Sequence, residues 1–269
     1  MASDLAETYD HTGKPVHHGR LRVNGIRMHY ITAGSGPALL LLHGTPKNSF
    51  YWYKIFPLLT EHFTLVAPDL RGFGYTDKPP AEEGYDTKVN ADDMADLMSQ
   101  LGHENFYLHG EDRGGDYAYA LAASYRDRVQ KLSFCEMLVS GLGLEELNIW
   151  SPEMVTAQFR EQGVWCWMFM KQECYNSTMI EPKALDHWIE CVKQPGGLRG
   201  ILETYRSAFK SAEVNKELAK KKLTIPVMTI GAPEFFGPKV RENALNGAKS
   251  LKSADTAWRW RSQNVLPKR

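Results

Sequence analysis

No histidine follows His187 in this chain, and only eight others precede it: His11, His17, His18, His29, His43, His62, His103 and His109. Net charge is also missing. The 32 basic side chains equal the 32 acidic ones, which leaves no general electrostatic reason to expect nucleic acid or an anionic membrane as a partner. No apolar run approaches the roughly 20 residues that a membrane-spanning helix needs. The start, Met1-Ala2-Ser3-Asp4-Leu5-Ala6-Glu7, has neither the basic opening nor the apolar stretch of a secretory signal. The four cysteines, Cys135, Cys166, Cys174 and Cys191, lack the paired spacing of a metal site, so no metal and no cofactor is expected. A cytoplasmic protein with reduced thiols is the expectation.

What is present is enough for a sizeable core. Of 269 residues, 43% are hydrophobic, which suits one large α/β domain or a core carrying an inserted subdomain. Leu21-Arg22-Val23 and Ile26-Arg27-Met28-His29-Tyr30, around Asn24-Gly25, predict a β-hairpin. Ala38-Leu39-Leu40-Leu41-Leu42 is apolar throughout, as a strand buried on both faces would be. A helix is predicted from Ser49 to Leu59, a strand over Phe63–Ala67, and a helix over Ala91–Leu101, where Met94, Leu97 and Leu101 recur at helical spacing. Strand, helix and strand follow again up to Cys135. This alternation predicts a mostly parallel, doubly wound sheet. It stops near Ser140. Residues 141–222 lack strong strand patterns and read as a helical insertion, a lid on a core made of 1–140 and 223–269. Pro226–Ile230 restores the strand pattern, and Ala254–Trp260 is a candidate final strand.

The chemistry concentrates at Gly110-Glu111-Asp112-Arg113-Gly114. It lies between an apolar strand and a helix, the setting of the nucleophile elbow G-x-S-x-G, with Asp112 in the serine's place. A carboxylate can attack a saturated, polarised carbon and form an alkyl-enzyme ester. That points to epoxide opening or carbon–halogen cleavage. The helix start behind Asp112 would stabilise its charge. His43-Gly44-Thr45-Pro46 follows the buried strand, where a loop supplies one of two backbone N–H donors to an oxyanion site. The donors would be Thr45 and Arg113, with Pro46 fixing the loop.

These two motifs, with Pro68-Asp69-Leu70-Arg71-Gly72-Phe73-Gly74-Tyr75-Thr76-Asp77-Lys78-Pro79 between them, resemble the α/β-hydrolase superfamily. Within it the chain resembles the branch of epoxide hydrolases and haloacid or haloalkane dehalogenases. The resemblance implies an α/β-hydrolase fold and a small-molecule substrate, an epoxide or organohalide. It leaves the oligomeric state open, a homodimer included. It also implies an acid that orients a catalytic histidine. Glu136 is favoured for that acid, with Glu234 as the alternative. Tyr205 resembles the lid tyrosine that protonates the epoxide oxygen. Trp165 and Trp167 resemble the aromatic wall of the pocket.

Two departures qualify what the resemblance implies. Trp167 is followed by Met168 where the similar subgroup has a histidine, and the insertion is shorter than in relatives. The family's catalytic histidine lies after the last core strand, whereas here Arg261-Ser262-Gln263-Asn264-Val265-Leu266-Pro267-Lys268-Arg269 contains none. The expectation is an intact first half-reaction at Asp112 and impaired hydrolysis of the ester. A haloacid dehalogenase-like activity and a non-catalytic or truncated relative are the alternatives. Against the haloacid reading, Asp116 stands where that group carries a second arginine.

Overall fold

The computed structural model describes residues 7–144 and 180–231, together with positions 239, 243, 244, 247 and 248. Seven strands form one sheet: β1 (His17–Val23), β2 (Ile26–Ala33), β3 (Ala38–Leu42), β4 (Thr64–Pro68), β5 (Phe106–Glu111), β6 (Val129–Cys135) and β7 (Val227–Ile230). Their spatial order is β1-β2-β4-β3-β5-β6-β7. Every pair from β4 across to β7 is parallel, and β1 and β2 form an antiparallel edge. The mostly parallel sheet read from the sequence is therefore present.

Local chemistry explains the elements. The hairpin turns at Asn24 and Gly25, both at positive φ (41° and 86°), the conformation a two-residue hairpin loop requires. β3 sits between β4 and β5, and helices cover both faces there, so its run of leucines has no solvent side to alternate with. Among the described residues, helices α1 (Phe56–Leu59), α2 (Thr87–Gln100), α3 (Arg113–Ser124), α4 (Pro182–Lys193), α5 (Gly197–Arg206) and α6 (Ala208–Ala219) surround the sheet. The Asp86 side chain caps α2 by accepting from the Lys88 and Val89 amides. α3 packs on β5, β6 and α2, and α6 packs in turn on α2 and α3. Gly200 of α5 lies against the backbone of Gly72, so the helices between β6 and β7 touch the loop after β4 directly. Among the described residues no helix is long and apolar enough to cross a membrane.

Two expectations change. The helix predicted over Ser49–Leu59 is broken into a 3-10 turn, Ser49–Lys54, and the single α-helical turn of α1. Pro57 lacks the N–H that would continue the ladder, so the break falls just before it. The polar lead-in over residues 1–18 also gives way earlier than expected, because His17 and His18 already pair with Thr32 and Ile31 in β1. The candidate strand over 254–260 lies outside the described residues.

One buried ion pair ties the hairpin, the β4 loop and α2 together. Arg71 Nε and Nη2 donate to Asp93 at 2.7 and 2.8 Å, and Asn24 Nδ2 donates to the same carboxylate at 2.8 Å. Arg71 and Asp93 are 2% and 0% exposed, so removing one partner strands a buried charge. Arg71→Met is expected to cost ~3–5 kcal/mol. A urea unfolding curve measures it, and a loss below about 1 kcal/mol would contradict this account.

Candidate active site

β5 ends at Glu111, and the chain then turns sharply through Asp112 into α3. Asp112 occupies the left-handed side of backbone space (φ 49°, ψ −130°), where non-glycine residues are strained. The turn survives because its neighbours hold it. The Asp112 amide donates to Cys135 O at 2.9 Å, and its carbonyl accepts from Gly115 N–H at 2.7 Å. Gly114 lies directly against the Leu42 and His43 carbonyls, with no room for a Cβ. The end of β3 and the start of α3 are thus pressed together, with the Asp112 side chain facing the loop after β3.

That loop is His43-Gly44-Thr45-Pro46, with a cis peptide between Thr45 and Pro46. The Thr45 amide donates to Asp112 Oδ2 at 2.7 Å. Gly44 lies so close to the Asp112 carboxyl that a Cβ there would overlap it. His43, expected as part of the binding loop, is instead internal scaffolding. Its Nδ1 donates to Gly44 O at 2.9 Å and its Nε2 accepts from Leu70 N–H at 3.0 Å. Both ring nitrogens are therefore used within the scaffold. Burial pushes its pKa down to about 4, so the ring is neutral.

The electrostatics at Asp112 run against an ordinary carboxylate. Burial first, and the negative charge of Glu111 second, push its pKa up to about 6, against the opposing pull of Lys47, the Thr45 N–H and Arg113. Lys47 Nζ meets both Glu111 oxygens at 2.7 Å and lies 4.4 Å from the Tyr51 ring centre. Burial, the largest influence, disfavours the Lys47 cation, but Glu111, Tyr51 and Asp112 together outweigh it and hold its pKa above the usual value. The sequence reading passed over both residues. Their signal was a pair of opposite charges, Lys47 immediately after Pro46 and Glu111 inside the second motif, immediately before Asp112.

Arg113 and Tyr205 complete the surroundings. The Arg113 guanidinium is buried and spoken for: it donates to Asp116 Oδ2 at 3.1 Å, Ser140 Oγ at 3.3 Å and Thr204 O at 2.6 Å. Asp116 also accepts from the Ser140 amide and hydroxyl and from Asn215 Nδ2. Anchored at Thr204, α5 brings the next residue, Tyr205, toward Asp112. Burial and then the Asp112 charge push the Tyr205 phenol above its usual pKa, opposed by Arg113 and by a side-chain hydrogen bond with Thr45. Asp112, Thr45, Arg113 and Tyr205, singled out separately in the sequence, are thus assembled in one place.

Glu136 follows β6 as Asp112 follows β5. It too has φ 49°, and its amide donates to Ile230 O at 3.0 Å. Since Glu111 pairs with Cys135 across the two strands, Glu136 stands beside the elbow. Glu234, Trp165 and Trp167 lie outside the described residues. His187 lies on α4, where its Nε2 accepts from Asn48 Nδ2 at 2.9 Å and its ring packs against Phe50 and Tyr75.

Known proteins with this arrangement are informative. A family model for the alpha/beta hydrolase fold matches residues 37–159, the stretch that holds both motifs. A soluble epoxide hydrolase from Corynebacterium sp. (strain C12) is 32% identical over 255 residues, covering 86% of this chain and 88% of its own length. A fluoroacetate dehalogenase from Burkholderia sp. is 35% identical over 153 residues, 56% of this chain and 47% of its own. Among solved structures, the epoxide hydrolase CorEH without ligand superimposes with a TM-score of 0.79 at 28% identity, over 88% of this chain and 89% of its own. Sheet order, elbow and extended similarity agree, and the chain belongs to the α/β-hydrolase superfamily, in its epoxide hydrolase branch.

Proposed function

We propose that Asp112 opens an epoxide by attack on a saturated ring carbon. The observation that carries this reading is the pairing of Asp112 Oδ2 with the Thr45 N–H at 2.7 Å while Tyr205 bears on the same carboxyl. The N–H fixes Oδ2, which leaves Oδ1 as the attacking atom. The new bond joins Oδ1 to carbon, the ring C–O bond breaks, and its electron pair goes to the ring oxygen. That oxygen takes the Tyr205 phenolic proton. Oδ2 becomes the ester carbonyl oxygen, held by the Thr45 N–H, with the Arg113 N–H at the start of α3 as the proposed second donor. Glu136, or Glu234 as the alternative, is the carboxylate in the position for orienting a base. Residues 141–222 serve as the lid, with Trp165 and Trp167 on the pocket wall. We place the protein in the cytoplasm.

The second half-reaction needs an activated water. General-base assistance is worth roughly a hundred- to ten-thousand-fold. The 269 residues hold no histidine after His187, both ring nitrogens of His43 are engaged elsewhere, and His187 Nε2 accepts from Asn48. We infer that the ester forms faster than it is hydrolysed. A haloacid substrate fits less well. Its carboxylate would need a free cation, and the Arg113 guanidinium is already bound by Asp116, Ser140 and Thr204.

Incubation with styrene oxide followed by intact-mass measurement is expected to show one covalent adduct, mapped to Asp112 and absent from Asp112→Asn. Diol released over many turnovers would overturn the stalled-ester reading, and neither adduct nor diol would favour a non-catalytic protein. Only the carboxylate is nucleophilic, so the rate of adduct formation should fall about tenfold per pH unit below about pH 6. A rate independent of pH from 4 to 8 would contradict this.

The same perturbed group makes a stability prediction. The folded-state pKa of Asp112 lies above its ordinary 3.8, so between that value and about 6 the native state binds the extra proton, and stability falls as pH rises through the window. Asp112→Asn should therefore melt above the parent at pH 7, with the advantage shrinking toward pH 4. Equal melting temperatures at pH 7 would count against a strained, charge-penalised nucleophile.

A further inference from the structure

Lys47 and Glu111 form a bidentate ion pair, 9% and 13% exposed, on the two segments that hold the nucleophile. Lys47 follows the Thr45-Pro46 loop, whose N–H grips Asp112, and its own amide donates to Gly44 O at 3.0 Å. Glu111 is the last residue of β5 and the covalent neighbour of Asp112. A buried ion pair is a poor way to gain stability, because the desolvation cost of two charges offsets most of their attraction. Placing one of those charges next to a carboxylate held at a strained positive φ therefore calls for a reason in the chemistry.

We propose that Lys47–Glu111 is the charge-tuning and positioning element of the nucleophile: Lys47 holds Glu111 in place so that its negative charge, directly behind Asp112, keeps that carboxylate strongly nucleophilic. This rests on the reading of Asp112 as the attacking group. The other groups that bear on Asp112 are Arg113 and Tyr117 on α3, Tyr51 on the 3-10 turn, and Tyr205 on α5. Arg113 is committed to Asp116, and the tyrosines are neutral phenols near neutral pH, their pKa values all pushed up by burial. The variable charges behind the carboxylate are thus those of Lys47 and Glu111, which act on Asp112 in opposite senses, Glu111 the more strongly. The pair also fixes geometry. It clamps the loop after β3 to the end of β5, at the level where the Thr45 N–H must meet Oδ2.

Charge logic gives an ordering that a purely structural clamp would not. Glu111→Gln removes the negative charge and leaves the Lys47 cation facing Asp112, so both changes favour the carboxylate. Lys47→Met with Glu111→Gln removes both charges. Half-ionisation of Asp112 should then come at the highest pH in the parent, lower in the double variant, and lowest in Glu111→Gln, with about one pH unit or more across the series. The measurement is a titration of the full chain carrying carboxyl-¹³C aspartate, followed by NMR with Asp112→Asn to assign the signal. It needs no substrate and no turnover. In parallel, the pH profile of styrene oxide adduct formation should shift in the same order, with a plateau rate lowest in Glu111→Gln. Coincident titration curves in folded variants would overturn the proposal, and the double variant guards against Glu111→Gln failing to fold around an unpaired lysine. If the titrations order as expected but no variant and no parent ever takes up an epoxide, the charge coupling stands and the nucleophile reading falls.

Discussion

The close approach of β3 to the start of α3 is the constraint on which the rest of the site depends. Gly114 admits the Leu42 and His43 carbonyls, and Gly44 admits the Asp112 carboxyl. A Cβ at either position would push the two segments apart. With them in contact, the elbow can hold Asp112 at φ 49° and the Thr45 N–H can reach its oxygen. Strain of order 1–3 kcal/mol at such a residue persists only when surrounding bonds over-determine it. Here those bonds run to β6 through Cys135 and forward into the helix through Gly115. The nucleophile is rigid because three separate elements would have to move together to relax it.

A second shell of buried polar bonds carries this rigidity outward to the helices after β6. Arg113 reaches Thr204, and Asn215 donates to both Asp116 and the Ser140 carbonyl. α3, the residues following β6, α5 and α6 are therefore stitched through a single arginine–aspartate pair. The network has a chemical consequence as well as a mechanical one. It neutralises the Arg113 guanidinium, and it fixes the backbone immediately before Tyr205. Arg113, expected from the sequence as a backbone N–H donor, also acts through its side chain as a strut that fixes the residue before Tyr205.

Particular residues show why some of this was legible in the sequence. The elbow, the buried β3 run and the hairpin around Asn24-Gly25 are set by local rules, namely turn chemistry and side-chain period, and the structure has them where they were expected. Tyr205 was found only through family resemblance, since nothing local distinguishes it from another helix tyrosine. The misreadings came from distant partners. His43 was read as part of the oxyanion loop with no partner assigned to its ring, because the bond from the Leu70 N–H to its Nε2 spans 27 positions. The Ser49–Leu59 helix was overextended because apolar spacing outweighed Pro57. Lys47 and Glu111 went unnoticed because 64 residues separate them, and each alone reads as an ordinary surface charge. Pairs formed across the sheet are invisible to a reading that moves along the chain.

The magnitudes decide how the two half-reactions compare. In the proposed mechanism, attack on the epoxide would draw on a poorly solvated carboxylate, an N–H that aligns it, and a phenol for the departing oxygen. Hydrolysis of the ester draws on the same N–H donors, because the oxygen that develops charge is the one Thr45 already holds. Preorganised donors of that kind contribute about 10²–10³ each. They stabilise a tetrahedral intermediate but do not generate the hydroxide-like water that creates it, and a base worth a further 10²–10⁴ must do so. Glu136, the proposed carboxylate for orienting such a base, follows β6 at the same positive φ as Asp112. On the proposed mechanism the described residues supply more for attack on the epoxide than for proton removal from water, and the two steps would differ in rate accordingly.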